Sequence, residues 1–112
     1  MIIMVRYVKH RNIDNGRYEF LFVNYDYYDG NDYLAKIFKQ KFNAIVGEKI
    51  DGFHYTIIPL KIDGLEYKLV WHEDDGNCIY SENQSIKVIE KLEKMLIVIM
   101  RELNRINNKR KD

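Results

Sequence analysis

One cysteine, one proline and six glycines stand among 112 residues, and each scarcity removes a class of protein. A lone Cys78 permits no internal disulfide and no cysteine-based zinc cage, which fits a reducing compartment. No apolar run approaches the roughly 20 residues needed to cross a bilayer; the longest, Met95-Leu96-Ile97-Val98-Ile99-Met100, is closely flanked by charge. The start, Ile2-Ile3-Met4-Val5, is too short for the core of a leader peptide and has no basic region before it. Neither sign of charge dominates, with 18 Lys and Arg against 17 Asp and Glu, so the net field does not steer the chain toward nucleic acid. These absences together lead us to expect a cytoplasmic protein that engages no membrane.

What is present is enough for a core. With 46% hydrophobic residues, a chain of this length can fold as a single domain, 1–112, without metal or disulfide staples. Asn15-Gly16, Asp29-Gly30, Asp51-Gly52, Asp63-Gly64 and Asp75-Gly76 are dipeptides that supply positive φ at tight turns, and they divide the chain. Tyr18, Phe20 and Phe22 alternate with Glu19, Leu21 and Val23, a period of two that predicts a strand covered on both faces. An earlier strand at about 2–8 would pair with it across the 9–15 loop. Residues 53–62 and 65–72 predict a hairpin about Asp63-Gly64, and Pro59, which has no N–H for a ladder, places its strand at an edge or beside a bulge. A short strand at 78–80 follows.

Two helices complete the pattern. Leu34, Ile37, Phe38, Phe42 and Ile45 predict one over about 32–46, capped by Asp29 or Asn31. Ser81-Glu82-Asn83-Gln84 has the form of a capping box ahead of a second helix of some 20 residues. Ile86, Ile89, Leu92, Leu96, Ile99, Leu103 and Ile106 form its stripe. Val88, Met95, Val98 and Met100 widen that stripe, so either the helix is sandwiched between sheet and first helix, or part of it pairs with another subunit as a homodimer. Residues 107–112 hold no apolar side chain and read as a frayed tail. The predicted fold is therefore α+β, an antiparallel sheet of about five strands in the order β-β-α-β-β-β-α, with two helices packed on it.

Catalytic chemistry finds little support in the residues. His10, His54 and His72 are scattered, the chain has no nucleophile elbow or phosphate loop, and His54 and His72 could meet only by convergence across the hairpin. The cluster His72-Glu73-Asp74-Asp75 lacks the oxygen spacing of a calcium loop and reads as a solvated acidic turn. We expect no metal, no cofactor and no enzymatic activity. Nucleic-acid binding has its aromatic half in nine Tyr, five Phe and one Trp. Its basic half is thin: Lys36, Lys39, Lys41 and Lys109-Arg110-Lys111 match solvated helix faces and tails. A small nucleic-acid-associated or regulatory domain remains the alternative reading.

The densest unusual segment is Tyr25-Asp26-Tyr27-Tyr28-Asp29-Gly30-Asn31-Asp32. Tyrosine gives large contact area at low entropic cost, and carboxylates accept charge-assisted bonds from a partner's Lys and Arg. Tyr25, Asp26, Tyr28, Asp29 and Asp32 are therefore candidate partner-binding residues, and Glu73, Asp74 and Asp75 extend the surface if both loops lie at one end of the sheet. The plain alternative is that the tyrosines cover the core while the aspartates cap the helix.

The order of elements, the Asp51-Gly52 and Asp63-Gly64 turns, the segment Trp71-His72-Glu73-Asp74-Asp75-Gly76 ending a strand and the late amphipathic helix together form a recognisable layout. Over roughly residues 17–106 it resembles small bacterial immunity proteins of contact-dependent growth inhibition and related polymorphic toxin systems. That resemblance implies a non-enzymatic cytoplasmic protein that binds a cognate toxin domain, often a nuclease, and blocks its active site. It rests on layout, so it assigns no individual residue a role.

Overall fold

A computed structural model describes residues 4–110. Strands β1 (Arg6–Arg11) and β2 (Tyr18–Val23) are followed by helix α1 (Gly30–Phe42) and the two-residue strands β3 (Ile45–Val46) and β4 (Ile50–Asp51). Then come β5 (Tyr55–Ile62), β6 (Leu65–His72), β7 (Gly76–Ser81) and helix α2 (Ile86–Arg110). All pairings are antiparallel, in the order β1-β2-β7-β6-β5-β3, with β4 also on β5. The class is α+β as expected, with seven strands in place of about five.

The hairpin of β5 and β6 follows the prediction closely. Asp63 (φ 51°) and Gly64 (φ 79°) both take the left-handed region, the two-residue turn whose twist matches paired strands. That turn fixes Ile62 opposite Leu65, and the register then sets every face, because a slip of one residue would invert them all. Ile58, Leu60 and Ile62 join Tyr67, Leu69, Ile79, Phe20 and Phe22 in the buried face. On that face α1 packs over β5 and β6, and α2 over β1 and β7, the helices touching side by side.

Among the described residues the opposite face carries no helix. Register places Val8, Leu21, Cys78, Val70, Ile57 and Ile50 in one row across it. β2 is thus fully buried at Phe20 and Phe22 but partly exposed at Leu21 and Val23, where cover on both faces was expected. Cys78 is half-buried in this row, and burial pushes its thiol up to about 12, which disfavours the thiolate.

Several boundaries differ from the predicted ones, each for a local reason. The first strand starts at Arg6, because Asn104 of α2 takes both backbone groups of Val5: its Oδ1 accepts from Val5 N at 2.7 Å and its Nδ2 donates to Val5 O at 3.0 Å. The part of that predicted strand at 2–3 lies outside the described residues. α1 starts at Gly30 and stops at Phe42, where Asn43 turns left-handed (φ 55°) and donates its N–H to Lys39 O. Asn is one of the few non-glycine residues that accept this conformation. Ile45, read as helical, therefore lies in β3. Asn31 does not cap α1; it is fully buried inside the first turn and donates to Thr56 Oγ1 at 2.7 Å. Asp29 occupies the cap position without a side-chain cap bond.

Pro59 explains the broken edge. Its carbonyl accepts from Gly47 N at 2.8 Å, but its ring nitrogen can return no bond, so the ladder lapses there and β3 and β4 engage β5 as two short pieces on either side. The Ser81 capping box is also displaced. Ser81 is buried in β7, and Gln84 accepts from Tyr18 N at 2.7 Å and donates to Ser81 O at 2.7 Å. Ser85 caps α2 instead, with Ile89 N bonded to its carbonyl and Val88 N to its hydroxyl. α2 buries Val88, Ile89, Leu92, Met95, Leu96, Ile99, Met100 and Leu103, leaving Ile86 and Ile97 exposed. Its wide stripe is thus covered by β1 and β7 on one side and by α1 on the other, with α2 lying beside the first helix rather than between it and the sheet. Helical backbone continues to Arg110, so the expected tail begins inside α2; residues 111–112 lie outside the described ones.

Tyr67 carries a further expectation. It is fully buried, and its hydroxyl has no hydrogen-bond partner among the described residues; an unsatisfied buried hydroxyl costs roughly 1–3 kcal/mol. Tyr67→Phe should raise stability by about 1 kcal/mol, measured by denaturant unfolding, whereas a loss of that size would reveal a partner for the hydroxyl.

Candidate functional site

The loops that end β2, β4 and β6 gather at one end of the sheet, and buried groups fix them there. Asn77 of β7 is fully buried and donates from Nδ2 to Tyr25 O at 2.8 Å and Tyr27 O at 3.0 Å. Trp71 of β6 donates from Nε1 to Asp26 O at 3.1 Å, and its ring meets Tyr28 edge-on at 4.9 Å between centroids. Gly30 is required by packing, since a Cβ there would lie 2.5 Å from the Asn77 amide and 2.8 Å from the Tyr25 ring. The 24–29 loop is held in this way against the turn at 73–75, which itself is tied to the 52–54 loop by Glu73 N bonded to His54 O at 2.9 Å.

The structure therefore brings most of the sequence-derived candidates together. Asp26, Tyr28, Asp29, Glu73, Asp74 and Asp75 are all exposed at this end. Asp32 stands at its margin, paired with Lys49 at 3.0 Å, and the same Nζ lies 5.4 Å from the Tyr28 ring centroid. Among the described residues the carboxylates of Asp26, Asp29 and Asp74 enter no ion pair. Tyr25 is the correction: it is buried in the core, its ring edge-on to Tyr27 at 5.4 Å. Asn24 adopts φ 65°, which breaks the alternation of the strand before it, turning Tyr25 inward and leaving Tyr27 and Tyr28 exposed.

Sequence reasoning passed over Tyr27, Phe53 and Trp71 as members of this surface. Phe53 is 91% exposed, with its ring against the His54 imidazole at 4.0 Å. An apolar side chain held that far into water contributes nothing to the core, so its place in the Asp51-Gly52-Phe53 turn was the available signal. Trp71 was recognised as a strand residue, but its indole N–H required a partner that the sequence could not name.

His54 and His72 take different partners. His54 pairs with Glu73 through Nδ1, while His72 Nδ1 accepts from Asp74 N at 3.1 Å and lies 3.8 Å from Asp75. Their side chains are 52% and 40% exposed. In the hairpin Tyr55, not His54, is the register partner of His72. Among the described residues no group of three or more His, Cys, Asp or Glu side chains is arranged to hold a metal ion, and no described helix is long and apolar enough to cross a membrane. Compared with protein-family models, curated proteins and solved structures, the chain gives no match to any of the three.

Proposed function

We propose that the chain is a non-enzymatic binding protein that docks a protein partner through this acidic, aromatic end, acting in the cytoplasm as an immunity protein that covers a toxin domain. The observation that carries the reading is the bond from Trp71 Nε1 to Asp26 O, which joins the two acidic loops into one surface. Five exposed carboxylates, Asp26, Asp29, Glu73, Asp74 and Asp75, then stand beside exposed Tyr27, Tyr28 and Phe53. Aromatic anchors within a ring of like charge suit a basic cleft of the kind that a nuclease presents to its substrate, where the charge also speeds encounter.

The test uses the wild-type chain and the D26K/D29K variant as matched baits. Both carboxylates are exposed and enter no ion pair among the described residues, but Asp29 stands at the α1 N-cap, where a lysine opposes the helix dipole, so the variant should lose about 1–2 kcal/mol and is compared with wild type where both are fully folded. A partner that fits the proposal is retained at least about tenfold more tightly by wild type than by the variant, is toxic when expressed alone, and is neutralised at equal stoichiometry. Equal retention on both baits would defeat the placement of the site, and toxicity that persists in the complex would defeat the blocking role.

A further inference from the structure

A cleft lies at the broken edge of the sheet, on the other side of Lys49 from the acidic end. Because the ladder lapses at Pro59, the 47–49 segment leaves β5 between β3 and β4, and a cleft of about 320 Å³ remains between it and α1. Asp32, Ala35, Lys36 and Lys39 line it from one face of α1, at the i, i+3, i+4, i+7 spacing of neighbouring turns. Buried Ala35 and Ile58 form an apolar floor with Val46 at the side. The ionised groups that line it are Lys36, Lys39, Lys49 and Asp32, a formal balance of three positive charges against one. Asp32 answers Lys49 at 3.0 Å; Lys36 Nζ rests 5.7 Å from the Tyr33 ring centroid.

We propose that this cleft binds a small organic anion, a phosphate monoester carried on a compact ring, with the phosphate held by Lys36, Lys39 and Lys49 and the ring on Ala35, Val46 and Ile58. Three lysines line one opening against the single carboxylate of Asp32, which already answers Lys49, so the excess of positive charge falls on Lys36 and Lys39, and lysine is well suited to phosphate as a point charge. The volume lies at the small end of ligand pockets, which fits a molecule of about nucleoside monophosphate size rather than a longer one. The apolar floor supplies the second half of the recognition, because an inorganic ion would leave it unused.

Adenosine monophosphate, adenosine and inorganic phosphate serve as probes, titrated at low ionic strength while backbone amide shifts are followed by NMR. The monophosphate should move Ala35, Val46 and Gly47 saturably, with adenosine at least about tenfold weaker for want of the charge and inorganic phosphate at least about tenfold weaker for want of the ring. K36E/K39E should abolish the shifts, and the milder K36Q/K39Q should weaken them about tenfold or more, while Lys94→Glu on α2 leaves them unchanged. Absence of saturation, equal binding of adenosine or of inorganic phosphate, or full binding by K36Q/K39Q would each overturn the proposal. Failure here leaves the acidic end untouched, since neither Lys36 nor Lys39 belongs to it.

Discussion

Asn77→Ala should destabilise the fold by about 2–4 kcal/mol and loosen the docking surface with it. The lost amide leaves the carbonyls of Tyr25 and Tyr27 without their donor, and a buried acceptor stranded in this way costs roughly 1–3 kcal/mol. The loop between β2 and α1 would lose two of the bonds that hold it, so partner affinity should fall by more than the exposed-residue variants predict for any single contact. Asn77→Asp makes a sharper test. An ionised carboxylate would face two carbonyls in a buried site, so its folded-state pKa would be raised, and its contribution to stability would be present at low pH and lost as pH rises through that value. Unfolding at several pH values should show Asn77→Asp less stable than Asn77→Ala near neutrality, with the gap closing on acidification. A stable Asn77→Ala with wild-type hydrogen exchange in residues 25–29 would show that the loop is held by something else.

Leu96→Ala should cost about 3–5 kcal/mol, while Ile97→Ala changes stability by less than about 1 kcal/mol. The two residues are neighbours in the most apolar run of the chain, yet Leu96 is fully buried and Ile97 is 45% exposed. A large difference between the two follows only if the helix keeps the rotational setting in which Leu92, Leu96, Ile99 and Leu103 face the sheet and α1. Denaturant midpoints for the pair measure that setting directly, and similar losses for both would mean that the Ile97 side is covered in solution, as a dimer through α2 would require.

How much of this could be read from the chain depends on whether the information is local. The β5–β6 hairpin was legible because Asp63-Gly64 fixes a turn and the side chains on either side alternate in step with it. The stripe of α2 was legible for the same reason, at the helical period. β3 and β4 were not, since strands of two residues have no period, and Ile45 fits a helical pattern as well as an extended one until Asn43 is known to turn left-handed. The start of β1 depended on Asn104, 99 residues away, which no local pattern reports. The meeting of the two acidic loops likewise depended on the order β2-β7-β6 in the sheet; the residues were visible, their proximity was not. Tyr25 left the surface because a single left-handed residue ahead of it, Asn24, interrupts the alternation and turns it inward.

The footprint of a bound partner on amide hydrogen exchange addresses the proposal at its root, because the molecule offers two very different surfaces. One is the charged end; the other is the uncovered sheet face with its apolar row from Val8 to Ile50. Protection confined to residues 26–29, 53–54 and 73–75, with Val70, Ile57 and Leu21 exchanging as in the free protein, is the expected pattern. Protection spread over that apolar row, with the acidic loops unchanged, would contradict it.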